Sequence, residues 1–110
     1  MKAGQLDRRI TVLRATNARN SFNEEIATWN PVATVWAAAV PISDGERLRA
    51  GETLATSKYR FTVRHSAFAG SIDPRDRLTF QGRTFDVNGV KELGRREGYE
   101  ITATARAETL

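Results

Sequence analysis

Apolar positions along the chain recur mainly at two-residue spacing. In "QLDRRITVLRA", Arg8, Ile10 and Val12 share one face and Arg9, Thr11 and Leu13 the other. A β-branched run with that period predicts a strand. "KYRFTVRH" is the clearest case: Tyr59, Phe61, Val63 and His65 fall on one face, Lys58, Arg60, Thr62 and Arg64 on the other. "YEITATARA" alternates in the same way, with Tyr99, Ile101, Ala103 and Ala105 against Glu100, Thr102, Thr104 and Arg106. "RLTF" and "RTFDV" flank Gln81-Gly82, where glycine supplies the positive φ of a hairpin turn. Asp73-Pro74-Arg75-Asp76 has the chemistry of a type I turn, and "GRREG" reads as another turn.

Two stretches are less regular. The Asn-rich "TNARNSFNEE" predicts a loop or a wide hairpin tip. In "IATWNPVATVWAAAV", Pro31 separates an edge segment at 26–29 from the strand proper at 33–40, which Pro41 ends. Trp36 lies among small residues that leave room for it and is expected in the core. Six or seven short strands with turn signals between them predict a mainly β fold, a small β-barrel in a single domain spanning 1–110.

The alternation breaks after Pro41. The connection to the next strand is far longer than the usual 4–6 residues or so. Ser43, Asp44, Gly45 and Glu46 match a capping box, in which Ser and Glu satisfy each other's free backbone donors. A short helix over 45–55 would place Leu48, Gly51, Leu54 and Ala55 on one side and Arg47, Arg49 and Glu52 on the other. Gly51 costs such a helix about 1 kcal/mol relative to alanine. The segment 43–57 is therefore expected to be one short helix or a long, ordered, projecting loop.

Composition narrows the function classes. The chain has 110 residues, 40% hydrophobic and 27% charged, which suits one globular domain with a modest core. It has no cysteine, so disulfides and thiolate metal sites are excluded. The N-terminus has no apolar h-region, and no stretch approaches the length of a membrane span, so no membrane partner is expected. The net charge of +4 is uneven: residues 1–70 hold ten Lys/Arg and six Asp/Glu, whereas 71–110 hold seven of each. That bias suits an acidic partner surface or nucleic acid.

Candidate chemistry is sparse. His65 is the only histidine and is expected to pack at the end of the core face of its strand, away from any nucleophile. Ser66, its neighbour, would point to the opposite face. Asp73 and Asp76 belong to a turn, where aspartate caps its own backbone, and Glu24-Glu25 to a solvated loop. Neither a catalytic centre nor a metal or cofactor site is expected. An alternative is a monomeric, OB-like nucleic-acid-binding barrel, with Tyr59 and Phe61 stacking on bases. Against it, the aromatic and cationic residues of "KYRFTVRH" alternate between faces instead of sharing one.

The order of segments carries a resemblance. "AGQLDRRITVLR", "VATVWAAAVPISDGER", "YRFTVRHS" and "IDPRDRLTFQGRTFDVNGV", in that order over residues 3–106, resemble the phage head–tail joining (head closure, or stopper) family of tailed phages, prophages and gene transfer agents. The resemblance implies a structural virion protein, assembled in the host cytoplasm, with no enzymatic activity. It implies a homo-oligomeric ring, a hexamer or alternatively a dodecamer, at the head–tail connector. The portal and adaptor would lie above it and the tail terminator or tail tube below, and the ring would help retain packaged DNA. It also implies that 43–57 projects toward the channel or a neighbouring subunit. Ser43, Asp44, Glu46, Arg47, Leu48, Arg49, Glu52 and Leu54 would then make those contacts. Arg47 and Arg49 would meet DNA phosphates, without reading sequence.

Overall fold

The computed structural model describes residues 6–42 and 58–106. Six antiparallel strands form one sheet: β1 (Arg8–Arg19), β2 (Glu25–Pro41), β3 (Lys58–Arg64), β4 (Arg77–Phe80), β5 (Arg83–Leu93) and β6 (Gly98–Ala105). Their order is β1-β2-β3-β6-β5-β4, and the sheet closes into a barrel where β1 meets β4. That seam is narrow, running from Thr11 opposite Thr79 to Leu13 opposite Arg77. The fold is mainly β, as the alternation predicts. A single 3-10 turn, Ala69–Ser71, is the one helical element among the described residues. The helix or loop expected at 43–57, and with it every predicted contact residue from Ser43 to Leu54, lies outside the described residues.

The interior is built from the inward positions of each strand. Ile10, Val12, Ala37, Phe61, Val63, Leu78, Phe85, Ile101 and Ala103 are all under 2% exposed or up to 4% for their neighbour Val87. Phe61 is central: the rings of Tyr59, Phe80 and Phe85 lie 5.6, 5.2 and 5.7 Å from its own. Edge-to-face geometry, at 73° and 87° for the two phenylalanines, suits the ring quadrupoles. Small residues make the space, since Ala39 pairs with Phe61 and Ala37 with Val63 across β2 and β3. Trp36, next to the inward-facing Ala37, points the other way and is 53% exposed, with the Arg9 guanidinium 5.0 Å from its ring. The expectation of a core tryptophan is thus wrong: room for a large side chain on β2 exists only outside the barrel. Trp36→Ala should lower stability by about 1 kcal/mol at most, read by urea unfolding.

Turns follow their local chemistry. Gln81 and Gly82 both have positive φ, 51° and 77°, as a two-residue type I′ hairpin requires. At Gly94, φ is 60°, the left-handed region that favours glycine, while the Glu97 side-chain end that an added Cβ would approach to 2.8 Å is flexible and can shift. In the 73–76 turn, Asp76 N donates to Asp73 O at 2.9 Å and Arg75 N to Asp73 Oδ1 at 2.8 Å. The Arg75 side chain, and after it that backbone N–H, holds the Asp73 carboxyl below its ordinary value of 3.8.

The stretch from Thr16 to Glu25, expected to be a loop or a wide hairpin tip, is a hairpin, and its tip is narrow. β1 runs on to Arg19 and β2 starts at Glu25, paired from Arg19–Glu25 down to Arg8–Ala37. The turn is only Asn20 to Glu24. At the base, Leu13 faces Pro31 and Val12 faces Ala33, so Val32 is an extra residue and the strands bulge. Pro31 is tolerated because β2 pairs with β3 only from Ala37 to Pro41, which leaves its other edge unpaired at this point among the described residues. Beyond the β4 seam the hairpin is a two-stranded arm extending from the barrel.

Candidate interaction surface

Among the described residues, the β1–β2 arm and a groove stand outside the closed barrel, and both follow from the way β2 changes partners. β2 pairs with β1 along Glu25–Ala37 and with β3 along Ala37–Pro41, so Ala37 marks a corner. Past Pro41, Ile42 N donates to Lys58 O at 2.9 Å. Ile42 and Lys58, which flank segment 43–57, are thus held together at one end of β2. The β1–β2 arm leaves from the opposite end.

The arm is anchored at its root by two arginines on opposite faces. Arg14 Nε lies 3.3 Å from Asp76 Oδ1, and its Nη2 donates to Ser71 O at 3.1 Å and Ser71 Oγ at 2.6 Å. The same guanidinium covers the Phe68 ring at 5.1 Å. On the other face, Arg77 stacks over Trp29 at 4.0 Å and pairs with Asp86, which also accepts from Arg106 at 2.8 Å. Asp76 is the one buried charged residue of the described core, 6% exposed, and it also accepts from Asp73 N at 3.2 Å. Arg14→Met removes its charged partner while keeping the stem. Because Arg14 is one-third exposed, the expected loss is about 1–2 kcal/mol, with faster amide exchange on the arm as the accompanying sign.

The arm tip is ordered by its own polar groups. Asn20 Oδ1 accepts from both Phe22 N and Glu24 N at 2.9 Å, and Arg19 Nη1 donates to Asn23 O at 3.0 Å. Asn23 takes φ 62°, which asparagine tolerates. The product is a compact knob on which Phe22 stands 81% exposed beside Glu24 and Glu25. Asn30 and Thr16 tie the arm strands at mid-length, with Asn30 Nδ2 donating to Thr16 Oγ1 at 3.0 Å.

A groove of about 580 Å³ opens where β3 stops pairing with β2. Thr34, Val35 and Trp36 line one side, Val63, Arg64, His65 and Ser66 the other, and Leu6 completes it. His65 does not pack in the core as expected. β3 ends at Arg64, and the exposed imidazole Nδ1 sits 3.0 Å from Tyr99 Oη. Ser66 Oγ accepts from Ala69 N at 2.9 Å and caps the 3-10 turn. Among the described residues, no three His, Cys, Asp or Glu side chains cluster closely enough to hold a metal ion. The stacking surface that an OB-like reading requires is not on the outside. Phe61 is fully buried and Tyr59 packs against it, which leaves the cations of "KYRFTVRH" outside without the aromatics.

Sequence reasoning missed both the knob and the groove. The signal for the knob was present: a large aromatic isolated in a polar, Asn-rich turn has no local reason to be apolar. The groove had none, because it depends on where two strands part.

A family model shows the family, and solved structures show the fold. A family model described as phage head completion protein matches residues 1–106. No curated protein matches the chain significantly. A solution structure of a protein from Shigella flexneri 2a superposes with TM-score 0.75 at 24% identity, covering 99% of this chain and all of that one. A chain from the virion of a native gene transfer agent particle superposes with TM-score 0.65, also at 24% identity, covering 90% of this chain and 93% of that one.

Proposed function

The chain belongs to the phage head completion protein family, and from that premise we propose that it closes the head–tail connector of a phage or gene transfer agent particle. Membership makes it a structural component of a virion head. The finer reading is a homo-oligomeric ring of six copies, or alternatively twelve, seated between the portal–adaptor complex and the tail terminator or tail tube. The ring retains packaged DNA through contacts with phosphates, independent of sequence. The chain assembles in the host cytoplasm and has no catalytic role.

The observation that carries this reading is the family match over nearly the full length. Its fold likeness to a chain of a gene transfer agent virion supports the place in the particle. The geometry is also suited to a connector. The residues that flank segment 43–57 and the β1–β2 arm lie at opposite ends of β2, so one subunit can engage neighbours in two directions while its barrel stays intact. Within this proposal, Ser43, Asp44, Glu46, Arg47, Leu48, Arg49, Glu52 and Leu54 form the channel-facing or intersubunit contact.

Deletion of the gene in a particle-producing strain tests the reading directly. Heads without tails, or heads that have lost their DNA, are expected by electron microscopy, with recovery on complementation. Normal yields of tailed, DNA-filled particles would overturn it.

A further inference from the structure

We infer that the groove beside Trp36 receives the arm tip of a second copy of this chain, Phe22 entering against Trp36, so that successive subunits join head to tail. Such a contact presupposes the ring proposed above and supplies its subunit interface.

Knob and groove match in chemistry. Phe22 is the most exposed of the large apolar side chains among the described residues, and Trp36 is 53% exposed. Leu6, Val35 and Val63 make the remainder of the groove apolar. Its volume, about 580 Å³, is in the range of clefts that enclose an aromatic group with its flanking atoms. The charges are complementary. Glu24 and Glu25 flank the knob, while Arg64 lines the groove and Arg9 lies over the Trp36 ring. The knob is also preorganised by Asn20 and Arg19, so little conformational freedom is lost when it docks.

Topology makes the occupant a second copy. Phe22 and Trp36 sit at opposite ends of one hairpin. The ten residue steps from Ile26 to Trp36 in β2 span roughly 30 Å at strand rise. Paired with β1 along that length apart from the bulge at Val32, the hairpin keeps a subunit's own knob away from its own groove. Two complementary patches at different places on one molecule make a heterologous contact, which repeats from copy to copy and closes into a ring when its rotation allows. The groove wall on β2 is unpaired strand edge at Thr34–Trp36 among the described residues, so backbone groups can contribute as well as side chains.

The chain has no cysteine, which makes paired cysteines a clean probe. Phe22→Cys and Thr34→Cys both fall at exposed positions. Oxidation of assembled particles carrying both substitutions should give a ladder of covalent multimers on non-reducing gels, and either substitution alone should give monomer. As a second reading, each single cysteine should react with maleimide at least tenfold more slowly in particles than in the dilute protein. A ring visible by electron microscopy, with monomer only from the double variant and equal maleimide rates, would overturn this docking and leave the ring. Particles in which the chain is present as isolated copies would overturn the ring and the docking together.

Discussion

Phe61→Ala is expected to bring the protein close to unfolding at 25 °C. Phe61 is fully buried, and three aromatic rings lie within 5.7 Å of it. It also pairs with Ala39 on one side and Ile101 on the other, so it joins β2, β3 and β6 at the middle of the barrel. Removing a buried phenylalanine side chain costs about 3–5 kcal/mol, because transfer energy is lost and a cavity remains. A domain of this size has about 5–15 kcal/mol in total, and small barrels lie at the lower end. The closed sheet has no easy way to collapse into the space, since its strands are tied by hydrogen bonds on both sides. Urea unfolding followed by near-ultraviolet dichroism would read the loss. Phe61→Leu keeps most of the volume and should cost less than half as much. A Phe61→Ala protein within 1 kcal/mol of the parent would refute the central place given to this ring.

Replacing 45–55 with a short Gly-Ser linker is expected to do the opposite: spare the fold and abolish the function. The ends of the segment are already joined through Ile42 N–Lys58 O, and Pro41 pairs with Tyr59. The barrel around them closes on its own, through β1 and β4 at the far seam. Loop closure entropy changes slowly with length, so a shorter linker alters stability by less than about 1 kcal/mol. If Ser43 to Leu54 carry the channel or intersubunit contacts, particles made with the linker chain should fail to join tails or should leak DNA. Arg47→Glu with Arg49→Glu should give a milder defect that depends on salt, since exposed charge contacts are screened over about 10 Å at 0.1 M. Joined, DNA-filled particles at normal yield from the linker chain would remove function from this segment and shift attention to the arm.

The inward faces were legible wherever one side of a strand is buried. Ile10 and Val12, Phe61 and Val63, Ile101 and Ala103 all lie inside as their alternation requires. The turn at Gln81-Gly82 and the Asp73–Asp76 turn were equally legible, because both depend on contacts between near neighbours. The arm was not. Both faces of its strands meet solvent, so no period of two marks them, and their Thr and Asn side chains read as loop although they bond across the ladder. Trp36 was misplaced for a related reason. Neighbouring alanines show that space exists, but only the pairing of Ala39 with Phe61 shows that a phenylalanine fills it.

By itself, then, the order of residues determined the β class, the inward set of each buried strand and the local turns, since these arise from interactions a few positions apart. The head completion family was also readable at that level, from segments that recur in order. The closure of β1 on β4, the corner at Ala37, the paired arm and the groove beside Trp36 were decided by tertiary structure. Each depends on which distant strand supplies the partner and where that pairing stops. In a closed sheet, that is settled by the packing of all six strands at once.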